Sequence, residues 1–167
     1  MKVTKTFTTF QLTTLVLLRI LIGWHVLYEG ISKLLMPNWS SALFLKESQW
    51  ILAGFSDWII SHDGILQVVD FMNTWGLIAI GLGLILGLFT RLAAIAGAAL
   101  LFVYYLNNPP LIGLTYTLPS EGNYLIVSKT LIEAAALVVL AVFPSGSEFG
   151  LDRYITRFIK SKTKKEE

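Results

Sequence analysis

The 167 residues include no cysteine and only two histidines, His25 and His62. The first absence excludes a disulfide framework, thiol chemistry, iron–sulfur clusters and c-type haem attachment. The second leaves no imidazole set suited to zinc or to a bis-histidine haem. Charge is also scarce: 14% of residues are charged, against about a quarter in a soluble domain. The net charge is only +2, and the basic residues gather at helix ends, which points to membrane topology and away from nucleic acid. No glycine-rich dinucleotide fingerprint, phosphate loop or flavin motif occurs. No haem, flavin or metal is therefore expected, and the chain cannot run a dehydrogenase cycle by itself.

What is present is apolar surface. Hydrophobic residues make up 54% of the chain and the mean hydropathy is +0.66, the composition of an all-α integral membrane protein in a lipid bilayer. Four runs are apolar enough to span: 10–36, ended by Pro37; 65–89; 92–107, closed by "NNPP"; and 123–143, stopped by Pro144 and Gly146. A bilayer needs about 20 residues, so the third run sits at the lower limit. The first run follows Lys2 and Lys5, as a signal peptide would, but it is too long and no small-residue cleavage site follows. It reads as a retained helix. The expected architecture is a four-transmembrane-helix bundle over residues 1–144, followed by a cytoplasmic tail, 145–167, amphipathic and then basic.

Orientation follows from the basic residues. Lys2 and Lys5, Arg91 and the tail fall on one side, while Glu47, Asp57, Asp63, Asp70 and Glu121 fall on the other against Lys46 alone. The positive-inside rule then puts both termini in the cytoplasm. Between the first two runs, "SALFLKESQWILAGFSDWII" sets Leu43, Trp50, Phe55, Trp58 and Ile59 among polar residues. That spacing suits an interfacial helix from Ser41 to Ile60 on the outer leaflet, roofing the bundle and offering a docking surface to an outer partner. Gly83 and Gly87, with Ala93, Ala94, Gly97 and Ala98, allow close helix approach, either within one bundle or in a homo-oligomer.

The apolar runs also carry charges. At 100° per residue with Arg19 at zero, His25, Glu29 and Lys33 fall at about 240°, 280° and 320°, and Gly23 and Gly30 at about 40° and 20°. One face of the first helix is therefore polar and small, while Trp24 and Tyr28 point away. At 1.5 Å per residue, Glu29 and Lys129 both lie about 10 Å below the outer boundary, and His25 and Glu133 about 15 Å below it. Two polar layers are expected, Glu29 with Lys129 and His25 with Glu133. Either they are an ion-pair network joining helices, or they form a binding site for a polar headgroup. Interhelical polar contacts in membranes average only about 0.6 kcal/mol, which favours the site.

Three stretches resemble the DoxX/DoxD family: "LLRILIGWHVLYEGISKL", "GLGLILGLFTRLAAIAGA" and "EGNYLIVSKTLIEAAALVVLAVFPSGSEFGLDRY". That family includes the small membrane subunit of thiosulfate:quinone oxidoreductase. The shared positions are Arg19, Gly30 and Lys33; Gly87, Thr90, Arg91 and Ala93; and Asn123, Lys129 and Glu133. Many relatives have a glycine–glutamate pair where this chain reads "WGLIAIG", so the acid is replaced by Leu77 or its role passes to Asp70. The resemblance implies a bacterial or archaeal cytoplasmic-membrane subunit serving redox chemistry at the quinone pool, usually beside an outer-face oxidoreductase. Glu133 and His25 would move protons, and Arg19, Glu29, Lys33, Lys129 and Asn123 would hold the headgroup. With His25 neutral, this set carries a net charge of about +1 and should favour an anionic reduced headgroup or a small anion. The alternatives are a non-catalytic membrane anchor for an outer-face enzyme and, ranked lower for want of a broken-helix pair or repeat, a small-solute transporter.

Overall fold

A computed structural model of the protein describes residues 7–117, 123–143 and 145–154. Lys2, Lys5, Glu121 and the tail beyond Tyr154 lie outside the described residues. The elements in chain order are α1 (Thr9–Leu35), α2 (Ala42–Lys46), α3 (Ala53–Ile60), α4 (Asp63–Leu86), α5 (Thr90–Asn107), a hairpin of β1 (Asn123–Tyr124) and β2 (Val127–Ser128), and α6 (Lys129–Val142). A short 3-10 turn, Ser145–Ser147, follows. Among the described residues, α1, α4 and α5 are long and apolar enough to cross a membrane.

Close contacts fix the register. Gly23 of α1 meets Gly81 and Leu84 of α4, Leu27 meets Gly81, and Gly30 meets Leu77 and Ile78. Numbers rise on one helix as they fall on the other, so α1 and α4 are antiparallel. The same opposition holds for α4 and α5, through Gly83 with Ala93, Ile80 with Gly97 and Asn73 with Tyr104. It recurs between α5 and the segment that leads through the hairpin into α6, through Gly97 with Leu137 and Tyr105 with the Ile126 carbonyl. The three long helices and the shorter α6 pack around Val26, Leu77, Leu84, Ala94, Leu137 and Leu140. In lipid, apolar burial gives no drive for helix association, and close van der Waals packing takes its place. Gly81 provides the tightest approach: a Cβ there would lie 2.6 Å from the Leu27 backbone nitrogen.

Three expectations are corrected here. The fourth apolar run is helical only from Lys129; residues 123–128 turn as a hairpin, with Leu125 in the left-handed region at φ 58° and Tyr105 donating to the Ile126 carbonyl at 2.8 Å. This leaves α6 with 14 residues, about 21 Å of rise against a hydrocarbon core of about 30 Å. The outer stretch is two short helices, not one. Asp70 of α4 ties the start of α2, accepting from the Ser41 amide at 2.8 Å and from its hydroxyl. Asn107 at the end of α5 accepts from the Ser56 hydroxyl and donates to the Phe44 carbonyl, joining α3 and α2 to the bundle. Lastly, Gly83 and Gly87 do not act as a pair, although Gly83 does allow the close approach expected within the bundle. Gly83 packs on Ala93, and Gly87 ends α4 in the left-handed conformation at φ 66°.

The glycine contact makes a direct prediction. Gly81→Ala forces a methyl into the Leu27 backbone and should lower the melting temperature in detergent, by the roughly 1–3 kcal/mol typical of overpacking. Gly76→Ala, where an added Cβ meets nothing within 4 Å, should be neutral or stabilising. Equal effects would contradict the assigned α1–α4 interface.

Candidate functional site

The polar arc of α1 divides its duties. Gly23 and Gly30 face α4, while His25, Glu29 and Lys33 line a cavity with Lys129, Thr130 and Glu133 of α6 and Leu101 and Tyr104 of α5. Trp24 and Tyr28 are exposed on the opposite side, as the helical spacing predicts. The cavity holds about 210 Å³, below the range of drug-sized pockets and suited to one small headgroup. Along the bundle α1 packs on α4 and α6 on α5, whereas α1 and α6 meet in only a few places. The polar groups therefore stand in a lateral seam. His25 and Glu133 keep 35% and 20% of their side-chain exposure and Glu29 keeps 49%, which in hydrocarbon calls for a polar cover.

One of the two expected layers is present. His25 Nδ1 lies 2.9 Å from Glu133 Oε1. The nitrogen is shielded from solvent, yet the contact falls outside hydrogen-bond geometry, so its bonding capacity is incompletely used. The other layer is rearranged. Glu29 pairs with Lys33 of its own helix at 2.6 Å, one turn on, and Lys129 reaches His25 Nε2 at 3.5 Å. The imidazole thus bridges Lys129 and Glu133. Lys129 opens α6 directly after its cap Ser128, whose hydroxyl accepts from the Leu131 amide. A cation at a helix N-terminus opposes the dipole at about 0.3–1 kcal/mol, a cost that packing does not explain.

Arg19 does not belong to this cluster. It is 3% exposed at the end of the bundle away from α2 and α3, where it donates to the Phe149 carbonyl at 2.8 Å and to Ser145 Oγ at 3.4 Å. Gly150 packs on Gly87, and Asp152 accepts from the Phe89 and Thr90 amides at 2.6 and 2.9 Å, capping α5 from far along the chain. Arg19, Gly87, Thr90 and the "FGLD" exit are therefore one structural knot. Without Arg19, the cavity balances Glu29 and Glu133 against Lys33 and Lys129. With His25 neutral its net charge is zero, so the expected preference for anions is withdrawn. Asn123 lies in β1, and its side chain is outside the described residues.

The spacing of charges alone did not reveal Tyr104 and Asn73. The Tyr104 hydroxyl donates to Asn73 Oδ1 at the cavity wall, and the only advance sign was an amide inside the apolar run of α4. Leu77 is 2% exposed and lines the cavity, so the wall is apolar at the position where the resemblance led to the expectation of an acid. Asp70, the other candidate for that role, is engaged by Ser41.

The model of the DoxX family matches residues 14–107, more than half the chain. The chain belongs to the DoxX family. The match runs from residue 14, inside α1, to the end of α5 and hence includes His25, Glu29 and Lys33, while it ends before Lys129 and Glu133. No curated protein and no solved structure matches the chain.

The Arg19 knot can be tested separately from the cavity. Asp152→Ala removes both acceptors from the start of α5 and should cost about 0.5–2 kcal/mol of stability, the range for lost helix caps. Asp152→Asn retains one acceptor oxygen and should lose less in the same thermal melt. Equal losses would show that the Asp152 charge, not the cap, is what matters.

Proposed function

We propose that this DoxX-family chain is the membrane subunit of a redox system, binding a quinone-type headgroup in the His25–Glu133 cavity and working with a partner oxidoreductase at the outer face. It crosses the cytoplasmic membrane four times with both termini inside, α6 and its hairpin completing the fourth crossing. The observation that carries this reading is the histidine held between Glu133 and Lys129 in a small cavity on the α1–α6 seam. A lipid-soluble ligand can reach such a seam from the side, without passing through water.

The chemistry of the walls suits that headgroup. Lys129 and Lys33 donate to a carbonyl oxygen, and Glu133 accepts from a hydroxyl. When bound, the quinone supplies the two-electron redox step. The chain orients the ring and provides a proton route through Glu133 and His25, which touch. Zero net charge favours a neutral headgroup, as a charged ligand would have to alter the protonation of the cluster. The exposed stack of Phe55 and Trp58 on α3, with ring centroids 5.9 Å apart, supports a second role for the same chain as an anchor for an outer-face enzyme.

Glu133→Gln and Lys129→Met separate the site from mere helix joining. Glu133→Gln retains shape but removes the proton acceptor, so the protein should insert and melt near wild type while losing most bound quinone. Lys129→Met should show a milder defect, because the ammonium lies one turn nearer the surface. Melting temperature and extractable quinone are measured on the same purified samples. Destabilisation of both variants with unchanged quinone per folded chain would overturn the proposal.

A further inference from the structure

Three cavities meet at one side chain. Tyr104 lines the 210 Å³ polar cavity, a vestibule of about 470 Å³ and a chamber of about 420 Å³. The vestibule shares Glu29 and Lys33 with the polar cavity and runs along the turn between α1 and α2, past Trp39 and Ser40. The chamber lies under α2 and α3, against α4 and α5. Its wall is almost wholly apolar, including Leu52, Phe55, Met72, Ile80, Leu100 and Val103. Ser41, Phe44, Asn73 and Tyr104 border both vestibule and chamber. The Tyr104–Asn73 hydrogen bond and the edge contact of Phe44 on Tyr104, at 5.4 Å, form the partition.

We infer that this chamber receives the hydrocarbon chain of the amphiphile whose headgroup occupies the polar cavity. The inference rests on the proposed headgroup site and adds a second binding element to it. Adjacency decides the occupant. A polar cavity too small for more than a headgroup shares the Tyr104 wall with an apolar space twice its size. Another apolar cavity, about 530 Å³ between Phe10, Leu15, Val139 and Phe143, lies on the α1–α6 seam toward the end of the bundle away from α2 and α3. It shares no wall residue with the polar cavity. The chamber beneath α3 is the one that adjoins the headgroup. On this view α2 and α3 are a lid over the chain, and Asp70 and Asn107 are the ties that hold the lid down.

Gly76 provides the test, because it lines the chamber and an added Cβ there meets nothing within 4 Å. Phenylalanine at a glycine position does not weaken a helix, so Gly76→Phe fills the chamber without breaking α4. Ala96→Phe fills it from α5 and serves as a second variant. The probes are a benzoquinone ring without a chain and the same ring with a decyl chain. Affinities are read by tryptophan quenching in detergent, corrected for micelle partition, on samples with confirmed melting transitions. In the wild type the chain should improve affinity about tenfold or more. Both variants should lose that gain while binding the chainless ring as before. A gain retained in the folded variants would place the chain elsewhere, such as the cavity beside Phe10, and overturn the inference. No binding of the chainless ring to the wild type would bring down the headgroup site, and the chamber proposal with it.

Discussion

A charge inside an apolar bundle must find its counterpart within reach of its own side chain, because neither water nor lipid will serve. That constraint organises this protein at two levels. At the end of the bundle away from α2 and α3, Arg19 is buried and donates to the Phe149 carbonyl and to Ser145, which holds the exit segment against the α4–α5 turn. Higher in the bundle, Glu29 and Lys33 satisfy each other along α1, and His25 bridges Lys129 and Glu133 from α6. The first arrangement is met by one backbone carbonyl and one hydroxyl, with Arg19 Nε left without a hydrogen-bond partner. The second is closed by other ionisable groups around a cavity, and it keeps exposed polar surface. That difference separates scaffold from site.

The glycine contacts explain why the site has an open side. Gly23, Gly30 and Gly81 draw α1 against α4 until backbone meets side-chain base, and Gly97 lets α5 close on Leu137 of α6. Each helix pair is thus tight within itself. α1 and α6 meet in only a few places, with His25, Lys129 and Glu133 at one level of the seam and Phe10, Leu15, Val139 and Phe143 at another. A seam built this way can admit a ligand from the lipid without disturbing either tight pair. Lys129 is placed where the helix dipole resists a cation, and His25 has an unfinished hydrogen bond; both deficits can be relieved by a polar ligand in the cavity.

Much of this was legible in the sequence. Hydrophobic run length located α1, α4 and α5 to within a few residues, since nothing competes with helix formation in long apolar segments. Depth counting brought His25 to Glu133 because the helices are antiparallel and their rise is fixed. The same count failed for Glu29, because Lys33 stands one turn away on the same helix and pairs with it. It failed for Arg19 because a helical wheel ignores depth, and Arg19 lies four turns below Lys33. The hairpin at 123–128 was hidden by Leu125, Ile126 and Val127, whose apolarity mimics a helix start although Leu125 adopts a left-handed turn. Tyr104 and Asn73 were missed because each is uncharged, and their importance comes from a junction of cavities that only packing creates.

The central claim is that a quinone-type headgroup sits between α1 and α6 at His25. Photoaffinity labelling with an azido-quinone on the purified protein, followed by peptide mapping, tests it most directly. The account predicts adducts confined to residues 25–33 and 129–133, suppressed by excess unmodified quinone. Adducts spread over lipid-facing positions such as Trp24 and Tyr28, and unaffected by the competitor, would contradict it.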